Sequence, residues 1–404
     1  MIFVCFQTLL REDLLAVVFS RTCTLAGVAH RTASNSMADD WLFDSITKYR
    51  ALHMYDLQHA VSAIDWVGDR GLCLACCYGD RSEILELLLP DKLVARKDDT
   101  SIVKDRDFQM VNGGFCDRKI RDIRHIPDSR MLAVTEDDVN CISMWRLGSD
   151  QSDMVEKVCE IANSTPQCCP AQATVTGPHG KGGRLLFGSH LDNICIVEVD
   201  TEKVLQTTSD LSEHSLISCI CMLDNNTAMC CVSDTGKIVL LDIREPKIAT
   251  SKHNCQGNTA SFWTMHVEGS DGNRGRCSQL SSNGEILTHD TRCMQKRLTC
   301  QQTELNTDHS FKYLHITEDP VTRLQVAVSG FDDKLYVYNS VHWSDDCKSS
   351  TISPVFVHEG HSANSDNQSE ELKVVTHTWH PWQQDLILSG ATDGSLHAWQ
   401  HIDK

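Results

Sequence analysis

Positive charge is scarce in this 404-residue chain. Lys and Arg number 37 against 55 Asp and Glu, a net charge of −18 with histidine neutral. Non-specific nucleic-acid binding needs a clustered positive surface, so no direct nucleic-acid partner is expected. No run of 18 or more apolar residues is present, which leaves no candidate for a membrane-spanning helix and no membrane partner. Catalytic signatures are missing as well. There is no Gly-x-Ser-x-Gly elbow, no Gly-Lys-Ser/Thr phosphate loop, no His-Glu-x-x-His and no Gly-x-Gly-x-x-Gly after a strand. The glycine-rich stretch 177–183 lacks the Ser/Thr and the order of a phosphate loop; it reads as a hairpin connection. No catalytic residue, cofactor or metal ligand is assigned.

What is present is globular. Apolar residues are 41% and charged residues 23%, which excludes a disordered chain. Cysteine is abundant at 20 residues. A chain of this length can bury a core without disulfide staples. The single Cys-x-x-Cys, Cys73-Leu74-Ala75-Cys76, lies in a strand-like run. Residues i and i+3 on a strand face opposite sides, and there is no second pair to complete a zinc site. The expectation is reduced thiols used as small core hydrophobes.

Residues 1–36 differ from the rest. Their apolar runs are split by Arg11-Glu12-Asp13, which spoils a secretory signal. The segment reads as a disordered extension upstream of Met37, isoform-specific or artificial, with a mitochondrial presequence as the second reading. Residues 37–59 read as a short helix and a closing strand. Asp39 or Asp40 caps the helix, and Trp41, Leu42, Ile46 and Tyr49 share a face. Trp41, with Asp39 and Asp40, is a candidate partner contact, because exposed Trp is typical of binding hot spots. The competing reading packs Trp41 under the helix.

From residue 60 to 404 one unit repeats: a strand, a tight turn and an alternating strand. Its last copy runs from Leu386 through Asp393-Gly394 to Trp399, with Gly360-His361 upstream. Six earlier copies end at Leu87, Trp145, Val197, Leu241, His289 and Tyr338, of which Val197 and His289 are the weakest. The anchors are 44 to 61 residues apart, longer than the roughly 40–45 of a compact propeller repeat, so long loops are expected. Inner strands are expected at 61–67, 120–125, 171–176, 215–223, 262–267, 311–317 and 374–380. The fold class is therefore all-β, a seven-bladed WD40-type propeller with a short N-terminal helix. Too little chain follows Trp399 to complete the last blade, so residues 52–57 are expected to pair there and close the ring.

In that last blade His361, Ser389, Asp393 and Trp399 form a candidate structural lock, in which histidine bridges serine and tryptophan and a turn aspartate orients it. The acidic, serine-rich stretch 362–371 and the stretch 90–107 read as exposed loops, suited to partner contact. His377 and His380 lie on opposite faces of a strand, which disfavours chelation by the pair.

Several motifs resemble one family of WD40-repeat proteins. These are Asp39-Asp40-Trp41-Leu42, Asp56-Leu57, Trp66, Arg106-Asp107-Phe108, Gly113-Gly114-Phe115, Asp117-Arg118 and His125-Ile126-Pro127. Towards the other end are His358, Gly360-His361, Thr376-His377-Thr378-Trp379-His380-Pro381 and Ser395-Leu396-His397-Ala398-Trp399. The likeness runs from Asp39 to Ile402 and fades near 148–170 and 250–275. It has no counterpart for residues 1–36. The resemblance implies a non-enzymatic, monomeric scaffold for protein partners, found in the cytoplasm, at mitotic spindle poles and the cleavage furrow, and in the nucleus. It also implies roles in microtubule organisation, cell proliferation and survival, and nervous-system and kidney development, and a connection with the Integrator complex through its endonuclease-like subunits. Direct tubulin binding is disfavoured, because tubulin is acidic too; spindle association through other proteins is expected. The competing function is a propeller hydrolase, esterase-like, acting on a modified protein. A Ser or Cys beside His and Asp in a pocket would favour it, and a dry, filled channel would oppose it.

Overall fold

The computed structural model describes residues 6–7, 41, 45–90, 107–148, 152–163, 169–176, 182–208, 214–244, 248–250, 261–267, 275–294, 297–307, 313–343, 351–364 and 372–402. They form seven antiparallel sheets arranged as a ring. Blade 1 runs Ala60–Val67, Gly71–Tyr78, Arg81–Leu88 and Gln109–Cys116. Blade 2 begins at Ile120–His125, blade 3 at Gln172–Thr176 and blade 4 at Ile217–Met222. Blades 5, 6 and 7 begin at Trp263–Val267, His315–Glu318 and Val374–Trp379. These inner strands touch in sequence around the axis, and that of blade 7 touches that of blade 1. The sixth starts later than the alternation implies. The two weakest repeat copies are complete third strands, Cys195–Glu198 and Glu285–Asp290.

The ring closes with N-terminal chain. Tyr49–Asp56 pairs antiparallel with Ser395–His401, with Leu52 opposite Trp399 and Tyr55 opposite Leu396. This strand starts earlier than expected. Tyr49 belongs to it rather than to the helix, whose described residues are 41 and 45–48. The reason is burial: Tyr49 is 3% exposed, and alternation continues back to it. Of the segment 1–36, Phe6–Gln7 is described, and it pairs with the outer edge of the closing strand. Asp39, Asp40 and the rest of 1–36 lie outside the described residues, as do 91–106 and 365–371.

The core is a series of apolar layers between neighbouring sheets. Cys76 packs between blades 7 and 1, and Cys73 on the opposite face between blades 1 and 2. Cys195 fills the next layer, Cys230 the layer between blades 3 and 4, and Cys231 and Cys277 that between 4 and 5. Burial pushes the Cys76 thiol up to about 12, so it behaves as a small hydrophobe. Cys300 departs from the expectation of reduced thiols throughout: it is disulfide-bonded.

Polar ties also join blades. Asp65 of blade 1 accepts the His125 backbone N–H of blade 2 at 2.6 Å. Arg130 of blade 2 grips the buried Glu86 of blade 1 with two bonds, 2.6 and 2.7 Å, and Asn112 adds a third.

Candidate functional site

Two places concentrate functional groups: the polar core of the last blade and the central channel. In the first, His361, Ser389 and Trp399 meet directly. Ser389 Oγ lies 2.8 Å from His361 Nε2, and Trp399 Nε1 donates to the same oxygen at 3.3 Å. Asp393 does not reach the histidine. Its carboxylate accepts Ser395 Oγ at 2.5 Å, and Ser395 Oγ lies 2.6 Å from His361 Nδ1. The donors fix one direction for the chain: Trp399 N–H to Ser389, Ser389 O–H to His361 Nε2, His361 Nδ1–H to Ser395, Ser395 O–H to Asp393. Every proton has an acceptor. Burial pushes His361 down to about 3, so the ring is neutral, as this chain requires.

Sequence reasoning missed Ser395, His358, His397 and Tyr49. The signal was there for two of them, since Ser395, His397 and Trp399 share one strand face at period two. His397 stacks on His361 with centroids 3.9 Å apart. His358 stacks on Trp399 at 4.6 Å. His358 Nε2 lies 2.9 Å from His397 Nδ1, and the Tyr49 hydroxyl lies 2.7 Å from His358 Nδ1. Gly360 fits because a Cβ there would sit 2.7 Å from the His358 ring. Gly394 takes φ +90° in the Asp-Gly turn, a region that favours glycine.

Trp41 is half-buried against this same layer. Its ring lies 6.4 Å from that of Tyr49, and it packs on the cluster containing Trp399. Part of the Trp41 side chain is thus packed on this layer. Exposed tryptophan is found elsewhere: Trp382 is 64% exposed beside Asp69.

Histidines 358, 361 and 397 bring nitrogens within 4.8 Å of one another. They suit a metal poorly, because both His361 nitrogens and both His358 nitrogens already hold hydrogen bonds. The group Glu136, Cys141 and Glu160 is also within range. Arg118 and Lys157 already neutralise it.

The channel is not filled. It holds a cavity of about 460 Å³ lined by inner-strand residues of all seven blades. Its wall carries Asp65, Asp122, Arg124, Cys219, Cys221, His266, His315 and His377. Arg124 pairs with Asp122 at 2.9 Å. Burial pushes His266 down to about 4 and His315 to about 3. His377 bonds Ser329 at 2.8 Å, while His380, three residues on, packs edge-on against Trp66. Burial also raises the Asp65 carboxyl. The Cys221 thiol is pushed down here, by its hydrogen bond with Cys219 and by the Arg124 charge. It bonds Cys219 at 3.3 Å, and no histidine nitrogen among the described residues bonds it. The charges on otherwise buried inner strands, as in Arg121-Asp122-Ile123-Arg124, were the legible sign of a polar channel.

No protein-family model matches the chain. Curated relatives do. The Integrator complex assembly factor WDR73 of Danio rerio is 33% identical over 381 residues, covering 92% of this chain and 98% of the relative. The Mus musculus protein of the same name is 30% identical over 375 residues, covering 91% and 98%. The Homo sapiens protein is 30% identical over 378 residues, covering 90% and 98%. With nearly the whole length of each relative matched and a seven-bladed ring in place, this chain belongs to the WDR73 family of WD-repeat propellers.

Proposed function

We propose that the chain acts in assembly of the Integrator complex, as a non-enzymatic propeller that holds protein partners on its rim and loops. The observation that carries this reading is full-length likeness to relatives named as Integrator complex assembly factors. The endonuclease-like subunits are the partners we assign first. The place of action is the cytoplasm and nucleus. A presence at spindle poles and the cleavage furrow, with effects on microtubule organisation and proliferation, would run through other proteins, because a chain of net charge −18 is repelled by acidic tubulin. The test is affinity purification of the tagged full chain from cells, with mass spectrometry. Recovery of Integrator endonuclease-like subunits above a control propeller is expected; their absence would overturn the reading.

A hydrolase reading has one observation in its favour, the acidified Cys221 in an open channel. It lacks a base: Cys221 is bonded to another thiol, and the nearby histidines His266 and His315 are held as weak bases by burial. Release of a nitrophenyl ester by the purified chain, lost in Cys221→Ser, would be needed to revive it.

A further inference from the structure

The Cys219-Ile220-Cys221 segment lies on the innermost strand of blade 4. Residues i and i+2 of a strand share a face; both residues border the channel cavity and are half-buried where they pack against the layer between blades 4 and 5. Their sulfurs are 3.3 Å apart. Neighbouring thiols of the same blade are more deeply placed: Cys230 and Cys231 are fully buried, Cys231 in the layer that Cys219 and Cys221 border.

We propose that Cys219 and Cys221 are a reactive dithiol site, converted to an internal disulfide by low-molecular-weight disulfides that enter the channel. The Cys221 thiolate attacks one sulfur of the incoming R–S–S–R and forms a mixed disulfide. One R–S⁻ leaves and takes up the proton. Cys219 then attacks the Cys221 sulfur, the second R–S⁻ leaves with the proton of Cys219, and the internal S–S bond is complete. Two protein thiols are oxidised and one small disulfide is reduced to two thiols.

Cys221 is taken as the attacking sulfur because it shares a 3.3 Å contact with Cys219 and the Arg124 charge favours its anion. The neighbouring Cys221 and burial hold the Cys219 thiol well above the usual thiol range. The geometry also sets the fate of the product. Residues i and i+2 on a regular strand are about 6.6–6.8 Å apart at Cα, the upper end of what a disulfide spans. A register irregularity immediately before Cys219 supplies local bend. The bond formed is strained, so mild thiols should reverse it.

The test uses the full chain and bis(2-hydroxyethyl) disulfide. After acid quench, free thiols are alkylated and peptides are analysed by mass. The expected result is a peptide carrying Cys219 and Cys221 that is two hydrogens lighter and unalkylated. It should form at least tenfold faster than any modification of Cys230 or Cys231. Cys219→Ser should stop at the mixed disulfide on Cys221. Equal alkylation of Cys219, Cys221, Cys230 and Cys231 after treatment would overturn the proposal, as would a bond from Cys221 to Cys231. The wild-type measurement decides the matter even where the variant does not fold.

Discussion

The Tyr49 hydroxyl donates to His358 Nδ1 across 2.7 Å, and so joins the closing strand to the outer strand of blade 6. Burial raises the Tyr49 hydroxyl far above its ordinary range, which keeps it a donor. The proton order then follows: His358 donates from Nε2 to His397 Nδ1, and His397 carries its proton on Nε2, which has no partner among the described residues. Tyr49→Phe removes the donor and leaves a buried acceptor. A loss of about 1–3 kcal/mol is expected, read as a lower urea midpoint with unchanged slope. Deleting 52–57 should be far worse, because it exposes the edge of Ser395–His401. Unchanged melting of that deletion would refute closure by this strand.

The chain through His361 should behave as a unit. His361→Ala and Ser395→Ala are each expected to cost about 2 kcal/mol or more, because buried partners are left unsatisfied. The double variant should cost less than the two losses added together. A double-mutant cycle at equilibrium checks this, and simple additivity would show that Ser395 is not the relay.

Glu86 offers a test of ties between blades. It is 3% exposed and held by Arg130 and Asn112. Arg130→Ala strands a buried carboxylate. About 2 kcal/mol of destabilisation is expected, below the full value for a buried pair because Arg130 is half-exposed. Adding Glu86→Leu to that variant should restore part of the stability. A further loss in thermal unfolding would count against the pair as the reason.

Acid should unfold the ring early. His361 and His315 are pushed down to about 3 and His266 to about 4; the unfolded value is about 6.5. Above that value both states are neutral and nothing is lost. Below it the unfolded chain binds protons that the native core refuses, so stability falls as pH drops from about 6.5 towards about 3. Each such histidine adds a slope of about 1.4 kcal/mol per pH unit. Buried Asp65 and Glu318 are raised and oppose this at lower pH, where the native state takes up their protons first. Urea midpoints between pH 7 and 5 should fall, and His361→Gln should flatten the curve. A flat wild-type profile would contradict the neutral histidine core.

The blades were legible because a period of two with a turn repeats seven times, and chance rarely copies that register. The closing strand was legible from a deficit, the missing outer strand after Trp399. The lock was legible in its ends but not in its middle. His361 and Trp399 stand in recognisable places, whereas Ser395 acts through a bond that depends on the distance left by the Asp393-Gly394 turn. The Cys219–Cys221 pair could not be read from spacing, because both resemble the packed cysteines beside them until the ring fixes how much of each is buried. Tyr49 was misread because a helix face and a strand start both accept a buried aromatic, and the choice is made by Ser395–His401, the far end of the chain.

Leu52 finds Trp399 only after everything between them has been made. At about 5–20 residues per second of synthesis, the first strand waits on the order of tens of seconds for its partner. During that time blades 1 to 6 can form from neighbours in sequence, but the ring stays open and two sticky strand edges face solvent. Damage to the last 10 residues would therefore act late, on a nearly finished molecule, and would deliver a mostly folded, unsealed chain to quality control.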